Sequence, residues 1–436
     1  MQAPTPTRRA AAAIGVLAVV AAWALAPTAA PAREPVGVDA KAPHAAHPRA
    51  TRAVAPPADL DARAYVVMLE GSGRVIASLN AGEELPIAST TKLMTAYVTL
   101  QREPLDKVLV EQPYVPSEEA ESLAPVPAGA RLSVPDMLRA MLLPSGNNVA
   151  YSLAVDVGAS TSAFVGLMNE AALKLGLGRT HYTTPIGLDT PPGNYSTATD
   201  LARLARVLMR NKTLREIVDE PRAELADGVV VYNRNDLVGT YPWVVGVKTG
   251  NTADAGECLV AAAKRNGVHL ISVVLGTPSE AARDADTLAL LRYGLSLYRS
   301  AQIAVRGRVY ATLPVAGRAR PARLLAERSS RLVLARSAIL HVALDVSARL
   351  HGPLAAGAVA GSLAVTENGR SVESVALVTA DAVPAPRRRA ARRSGAHTVR
   401  PVVWYAAGGG LALVLVGCSL PFMRRRATRS ATGLES

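Results

Sequence analysis

Cysteine is nearly absent from the chain, with two among 436 residues. Cys258 follows a globular motif and Cys418 lies in an apolar run near the C-terminus, so a disulfide framework is excluded. The 7 histidines are scattered, and no His, Cys or carboxylate cluster stands at ligand spacing, so no metal site and no cofactor is expected. Aromatics amount to 4%, which leaves Ala, Val and Leu to build the core. At 49% apolar the chain has enough for one large core and a second, smaller domain. Lysine is the most informative shortage. Of 48 basic residues 7 are Lys and 41 are Arg, so a lysine at a motif position stands where arginine would not serve.

The large domain also lacks a basic excess. The net charge is +13, but residues 58–300 carry 22 Lys and Arg against 27 Asp and Glu, whereas residues 301–380 carry 10 Arg against 4 acids. Nucleic acid is thereby excluded as a partner of the large domain, which has nothing to lay on a phosphate backbone. Basic ends flanking apolar runs suit the surface of the cell membrane instead.

What is present divides the chain. Residues 1–32 carry Arg8 and Arg9, an apolar stretch from Ala10 to Leu25 and small residues to Ala32, the pattern of a secretory signal peptide, with an uncleaved anchor as the alternative. Residues 33–57, rich in Ala and Pro, form a flexible leader. Residues 58–300 read as a mixed α/β (α+β) domain and 301–380 as a small all-β domain, with short alternating runs at Ala304–Ala311, Arg331–Leu334 and Gly361–Thr366 and turns at Gly317 and Asn368-Gly369. A basic Pro/Arg linker occupies 381–400. The 23 uncharged residues of 401–423 exceed the ~20 that span a bilayer, so they predict a transmembrane helix, and 424–436 a cytoplasmic tail. Six arginines outside this helix against four inside run counter to the positive-inside tendency. The signal peptide decides the orientation, with the body of the protein extracytoplasmic.

Within 58–300, Arg63–Glu70 and Arg74–Leu79 form a hairpin that leads to a helix beginning near Ser89, with apolar positions at Leu93, Met94, Ala96, Tyr97 and Leu100. The stretch 105–134 is irregular. Helices are predicted at Val134–Leu143, Val149–Val157, 160–176, Asp200–Arg210 and from Glu280 to Tyr298. The runs Trp243–Gly250, Gly256–Ala263 and Val268–Leu275 predict an antiparallel meander whose sheet also takes in the first hairpin.

Three short patterns carry chemistry. Ser89-Thr90-Thr91-Lys92 sets a serine at a helix start with a lysine one turn on, the placement of a nucleophile beside its base. Ser145-Gly146-Asn147 falls on a tight connection between helices, and Lys248-Thr249-Gly250 at a strand end. Each is weak alone; in this order and on these elements they are specific. They are the set shared by penicillin-binding proteins and serine β-lactamases. The wider text, including Gly187-Leu188-Asp189, Tyr195–Ala198 and Leu270–Gly276, resembles the D-alanyl-D-alanine carboxypeptidases among the low-molecular-weight penicillin-binding proteins over roughly 58–380.

The resemblance implies a penicillin-sensitive serine peptidase that removes the terminal D-alanine from peptidoglycan stem peptides, with β-lactams as inhibitors. Ser89 would attack the carbonyl between the two D-alanines and Lys92 would take its proton. Ser145 would relay a proton to the departing amine, and Asn147 would hold Lys92 and the substrate amide. Backbone N–H groups of Ser89 and Asn251 would form the oxyanion hole. Lys248 and Thr249, ahead of Gly250, would meet the terminal carboxylate, with Arg283 as its planar donor. Asn148, Thr184 and Asn251 stand where the family more often has Asp, Asn and an aromatic or His. Two rivals are a serine β-lactamase, whose second base would be a Glu in a Glu-x-x-Leu-Asn loop that Glu170, Glu216, Glu220 and Glu224 all lack, and a non-catalytic wall-binding relative.

Overall fold

In the computed structural model, strand β1 (Ala64–Leu69) is buried along its length, and its side chains alternate between two cores. Ala64, Val66 and Met68 face one, Tyr65, Val67 and Leu69 the other, as period-two geometry requires of a strand covered on both faces. Strands β4 (Gly256–Arg265) and β5 (Val268–Thr277) divide in the same way: Cys258, Val260 and Ala262 on the first side, Leu259, Ala261 and Ala263 on the second. With β2 (Val75–Leu79) and β3 (Val244–Thr252) they form a five-stranded sheet in the order β2-β1-β5-β4-β3, so the first hairpin and the meander share one sheet. Strand β3 is its edge.

The structure describes residues 55–117, 121–189 and 193–386. The signal peptide, most of the leader, the linker beyond 386, the transmembrane span and the tail lie outside the described residues. Among the described residues no single helix is long and apolar enough to cross a membrane. The chain divides into two units, one reaching Arg299 with Ala335–Ser337, the other taking Ser300–Leu334 and the chain from Ala338.

In the first unit the helices α1 (Lys92–Arg102), α2 (Val134–Leu142), α3 (Asn147–Gly158), α4 (Thr161–Lys174), α5 (Ala198–Leu208) and α6 (Lys212–Val218) cover the first face of the sheet. Helix α7 (Glu280–Leu297) covers the second through Leu288, Leu290 and Leu291. Helix α6, capped by Asn211, and the short pairing of Arg222–Glu224 with Val230–Tyr232 are not among the elements expected from the sequence. The irregular stretch after α1 contains one short pairing, Val108–Val110 with Arg131–Ser133. The second unit holds a five-stranded sheet, β6 (Val309–Leu313), β7 (Ala322–Ala326), β8 (Leu340–Val346), β9 (Val359–Glu367) and β10 (Arg370–Thr379), in the order β6-β7-β10-β9-β8. Asn368 and Gly369, both at positive φ, make the two-residue turn between β9 and β10. The run 304–311 is not one strand, because it turns at Arg306-Gly307, with Gly307 at φ 77°.

Candidate active site

Ser89 lies in a 3₁₀ turn, Ala88–Thr91, and α1 proper starts at Lys92. The difference from a simple helix start matters. In a 3₁₀ turn side chains at i and i+3 eclipse, which lays Lys92 directly beside Ser89. The turn is held by Thr90 Oγ1 donating to the Ile87 carbonyl at 2.6 Å, and Ala88 sits at φ 46°. Thr95 Oγ1 ties the next turn to the Pro185 carbonyl at 2.7 Å. Gly187 fits beneath because it has no side chain: a Cβ there would stand 2.1 Å from the Ala88 carbonyl oxygen. Thr184 and Asn194 brace that loop, Thr184 Oγ1 accepting from Gly187 N at 3.1 Å and Asn194 Nδ2 donating to Thr91 Oγ1 at 3.0 Å.

Lys92 is fully buried, and its Nζ is 2.9 Å from Ser89 Oγ, 2.6 Å from Asn147 Oδ1 and 2.9 Å from the Ile186 carbonyl oxygen. An ammonium gives one N–H to each. A neutral amine keeps two N–H groups and one lone pair. Asn147 Oδ1 and the Ile186 carbonyl can only accept, so the lone pair falls to Ser89, the one partner with a proton to give. Burial drives this amine down to about 7, with the Glu121 carboxylate opposing and the Arg234 guanidinium adding to the effect. Lys248, also buried, is pushed well down by burial and then by the charges of Lys92, Arg234 and Arg283.

Ser145 precedes α3 in a left-handed conformation, φ 68°, and Asn147 is the first residue of that helix rather than part of the connection. Ser89, Ser122, Ser145, Arg234, Thr249, Gly250, Asn251, Glu257, Glu280 and Arg283 line one cleft of about 220 Å³. A larger hollow of about 490 Å³ beside Tyr97, Arg102 and Lys174 holds none of the three motifs. The edge strand β3 meets the serine turn at Gly250, where a Cβ would be 3.1 Å from Ser89 N, so glycine lets the strand edge approach the nucleophile's backbone without displacing it. Asn251 donates to Glu257 across the β3–β4 pair.

Two expected site residues also carry partners that the sequence does not show. The Asn147 oxygen accepts from Lys92, as expected, and its amide nitrogen donates to Glu121 Oε2 at 2.8 Å. Arg283 reaches the cleft but is itself buried, with Nη1 on Glu257 Oε2 at 2.7 Å and Nε on Asp284 Oδ1 at 2.9 Å, so its fork is largely occupied by protein carboxylates. Arg234 and Glu121 were missed. Arg234 lies in a loop without helical or strand period, and no ion pair is made by its guanidinium among the described residues. Glu121 sits in the irregular stretch after α1, and only the fold brings it to α3.

The described family model for D-alanyl-D-alanine carboxypeptidase matches residues 50–279. The chain is 32% identical to the D-alanyl-D-alanine carboxypeptidase DacC of Escherichia coli K12 over 339 residues, 74% of this chain and 84% of that protein. It is 34% identical to a D-alanyl-D-alanine carboxypeptidase of Streptomyces sp. K15 over 266 residues, 56% of this chain and 90% of that one. Penicillin-binding protein 6B of Escherichia coli superposes with a TM-score of 0.57 at 28% identity, covering 74% of this chain and 97% of its own. Penicillin-binding protein 5 of Haemophilus influenzae gives 0.54 at 27%, covering 76% and 99%.

Proposed function

The chain belongs to the D-alanyl-D-alanine carboxypeptidase family, and from that premise we propose that Ser89 and Lys92 carry the reaction of a serine-type D-Ala-D-Ala carboxypeptidase acting on peptidoglycan stem pentapeptides. The enzyme class is that of its relatives. The observation that supports the residue roles is the Lys92 amine, whose three partners leave its lone pair only to Ser89.

Ser89 Oγ attacks the carbonyl carbon between the two D-alanines, and its proton passes to Lys92. The C–N bond breaks with a proton delivered to the departing amine through Ser145. Water then splits the Ser89 ester, releasing the shortened stem and restoring the hydroxyl. The N–H groups of Ser89 and Asn251 face the developing oxyanion. Thr249 draws the terminal carboxylate to the Gly250 end of the cleft, and the buried Lys248 amine fixes that strand end by donating to the Thr249 carbonyl at 3.0 Å. The test is D-alanine release from a pentapeptide-bearing wall fragment, together with a single penicillin adduct on the peptide that contains Ser89. No release, or an adduct elsewhere, refutes the assignment.

The carboxylate lies against Thr249 and Arg234, while Arg283, on the same cleft wall, is held by Glu257 and Asp284. Arg234→Ala should then lose about 2–3 kcal/mol in kcat/KM on peptides with a free carboxylate and little on the corresponding ester, the scale of a charge-assisted hydrogen bond. Arg283→Ala should lose equally on both and melt lower, because it strands the buried Glu257 carboxylate. A carboxylate-selective loss in Arg283→Ala instead would return the role to that residue.

The acyl-enzyme formed with penicillin persists in this reading, against a β-lactamase. Glu170, Glu216 and Glu220 pair with Lys174, Lys212 and Arg139, and none of them lines the cleft. Beyond the catalytic domain, 301–380 serves as a small all-β domain, and 401–423 anchors the chain in the cell membrane with the catalytic domain extracytoplasmic. A chain ending at Ala380 should be released from membranes; if it still sediments with them after a high-salt wash, the anchor lies elsewhere.

A further inference from the structure

The second motif is clasped by a carboxylate that lies 26 residues before Asn147 in the chain. We propose that Glu121 is a positioning residue: its carboxylate takes the Asn147 amide N–H and so holds the other end of that amide, the carbonyl oxygen, on Lys92. An asparagine amide turned by 180° would present N–H groups to the Lys92 amine, and that orientation leaves the base without one of its two fixed acceptors. A neutral side chain at 121 could satisfy the amide in either orientation. A carboxylate accepts only, so it admits one.

The carboxylate is itself fixed. Oε2 also accepts from Tyr114 Oη, and Oε1 accepts from Ser117 N at 2.6 Å and Ser117 Oγ at 2.7 Å. Tyr114 packs against Tyr151 of α3 with ring centroids 5.4 Å apart. The neighbouring backbone is bolted to the same helix: Asn147 N donates to the Ser122 carbonyl at 2.8 Å, and Ala124 N to Asn148 Oδ1 at 2.9 Å. Burial alone would raise the Glu121 carboxyl, but the hydrogen bonds from Tyr114, Asn147 and Ser117 outweigh it and keep the group ionised.

The charges around Lys92 give this carboxylate a second effect. From the loop before β3 Arg234 presents positive charge and favours the neutral amine. Glu121, one amide away, is the negative group that favours the ammonium. It does not line the cleft and touches neither Ser89 nor Lys92, so it acts through Asn147 and takes no part in the chemistry itself.

This inference rests on Lys92 acting as the base, and the experiment separates the two. The second-order rate of penicillin acylation is measured from pH 5 to 9 in the full chain, for wild type, Glu121→Gln and Glu121→Asp. Wild type should show an acid limb near pH 7, the value to which burial brings Lys92. Glu121→Gln removes the negative charge and frees the amide to turn, so its limb should move down by roughly one pH unit while the plateau falls roughly tenfold. Glu121→Asp keeps the charge but draws it back from Asn147, so its limb should stay with wild type and its plateau should fall. A Glu121→Gln limb that stays in place, or moves up, overturns the proposal even if the rate drops. Should that variant not fold, a wild-type plateau in Glu121→Asp overturns it alone. A wild type that forms no adduct at all refutes the role of Lys92 instead.

Discussion

Lys92→Arg is expected to be acylated by penicillin at least roughly a thousandfold more slowly than wild type at pH 8, the scale of losing a positioned general base. Arginine can still donate to Asn147 Oδ1 and the Ile186 carbonyl, but at pH 8 it holds a charge that the Lys92 amine, drawn down to about 7, has mostly given up. What it cannot do is accept the Ser89 proton, since a guanidinium stays protonated throughout the working range. The site is fully buried, so the bulkier head strains its packing, and a destabilisation on the order of 1–3 kcal/mol, read as a lower melting temperature, accompanies the change. The acylation rate, followed by intact mass over time, decides the matter. A rate within tenfold of wild type would mean that Lys92 serves only as a fixed charge and that Ser89 passes its proton elsewhere.

Ser89→Ala should release no D-alanine above background and form no penicillin adduct, a loss of roughly 10⁴-fold or more, because no covalent intermediate can form and only binding and oxyanion stabilisation remain. The fold should be untouched. Ser89 makes no cap for α1, and the 3₁₀ turn is held by Thr90 and by backbone bonds rather than by the nucleophile. The melting temperature should therefore stay within a few degrees of wild type. An adduct that survives in this variant would move the nucleophile to Ser145 or Ser122, the other hydroxyls in the cleft.

The parts of this site that were legible in the sequence are those where one residue type is demanded at a fixed spacing. Ser89 and Lys92 stand on one turn, and a local rule places them together. Strands β1, β4 and β5 were legible because they are covered on both faces and mostly apolar, and β2, largely exposed, because the Gly71-Ser72-Gly73 turn joins it to β1. Glu121 and Arg234 were not, because they lie in stretches without period and reach the site only through the tertiary fold. Arg283 was found, but its partner Glu257 was not: the pair joins a strand to a helix start 26 residues on, and no periodicity links them. The same limit explains Asn147, whose role as a clasp between Lys92 and Glu121 depends on a contact the motif does not contain.

Two fully buried lysines also set how the folded state responds to alkali. Both amines are held below their value in an unfolded chain, Lys92 at about 7 against 10.5. Above pH 7 the unfolded chain therefore binds more protons than the native protein, and native stability rises with pH, each lysine contributing up to about 1.4 kcal/mol per pH unit. As pH falls from 10.5 towards 7 that gain is lost, because the native state must then come to hold ammonium in its interior. Glu111, raised by burial to about 7, removes stability between its ordinary 4.5 and that pH, and Cys258, raised by burial from 9.0 to about 12, removes it above 9. The interval from about pH 7 to 9 is left to the lysines. Between about pH 7 and 9 stability therefore rises as Lys92 turns neutral, which is the charge state that also arms its nucleophile.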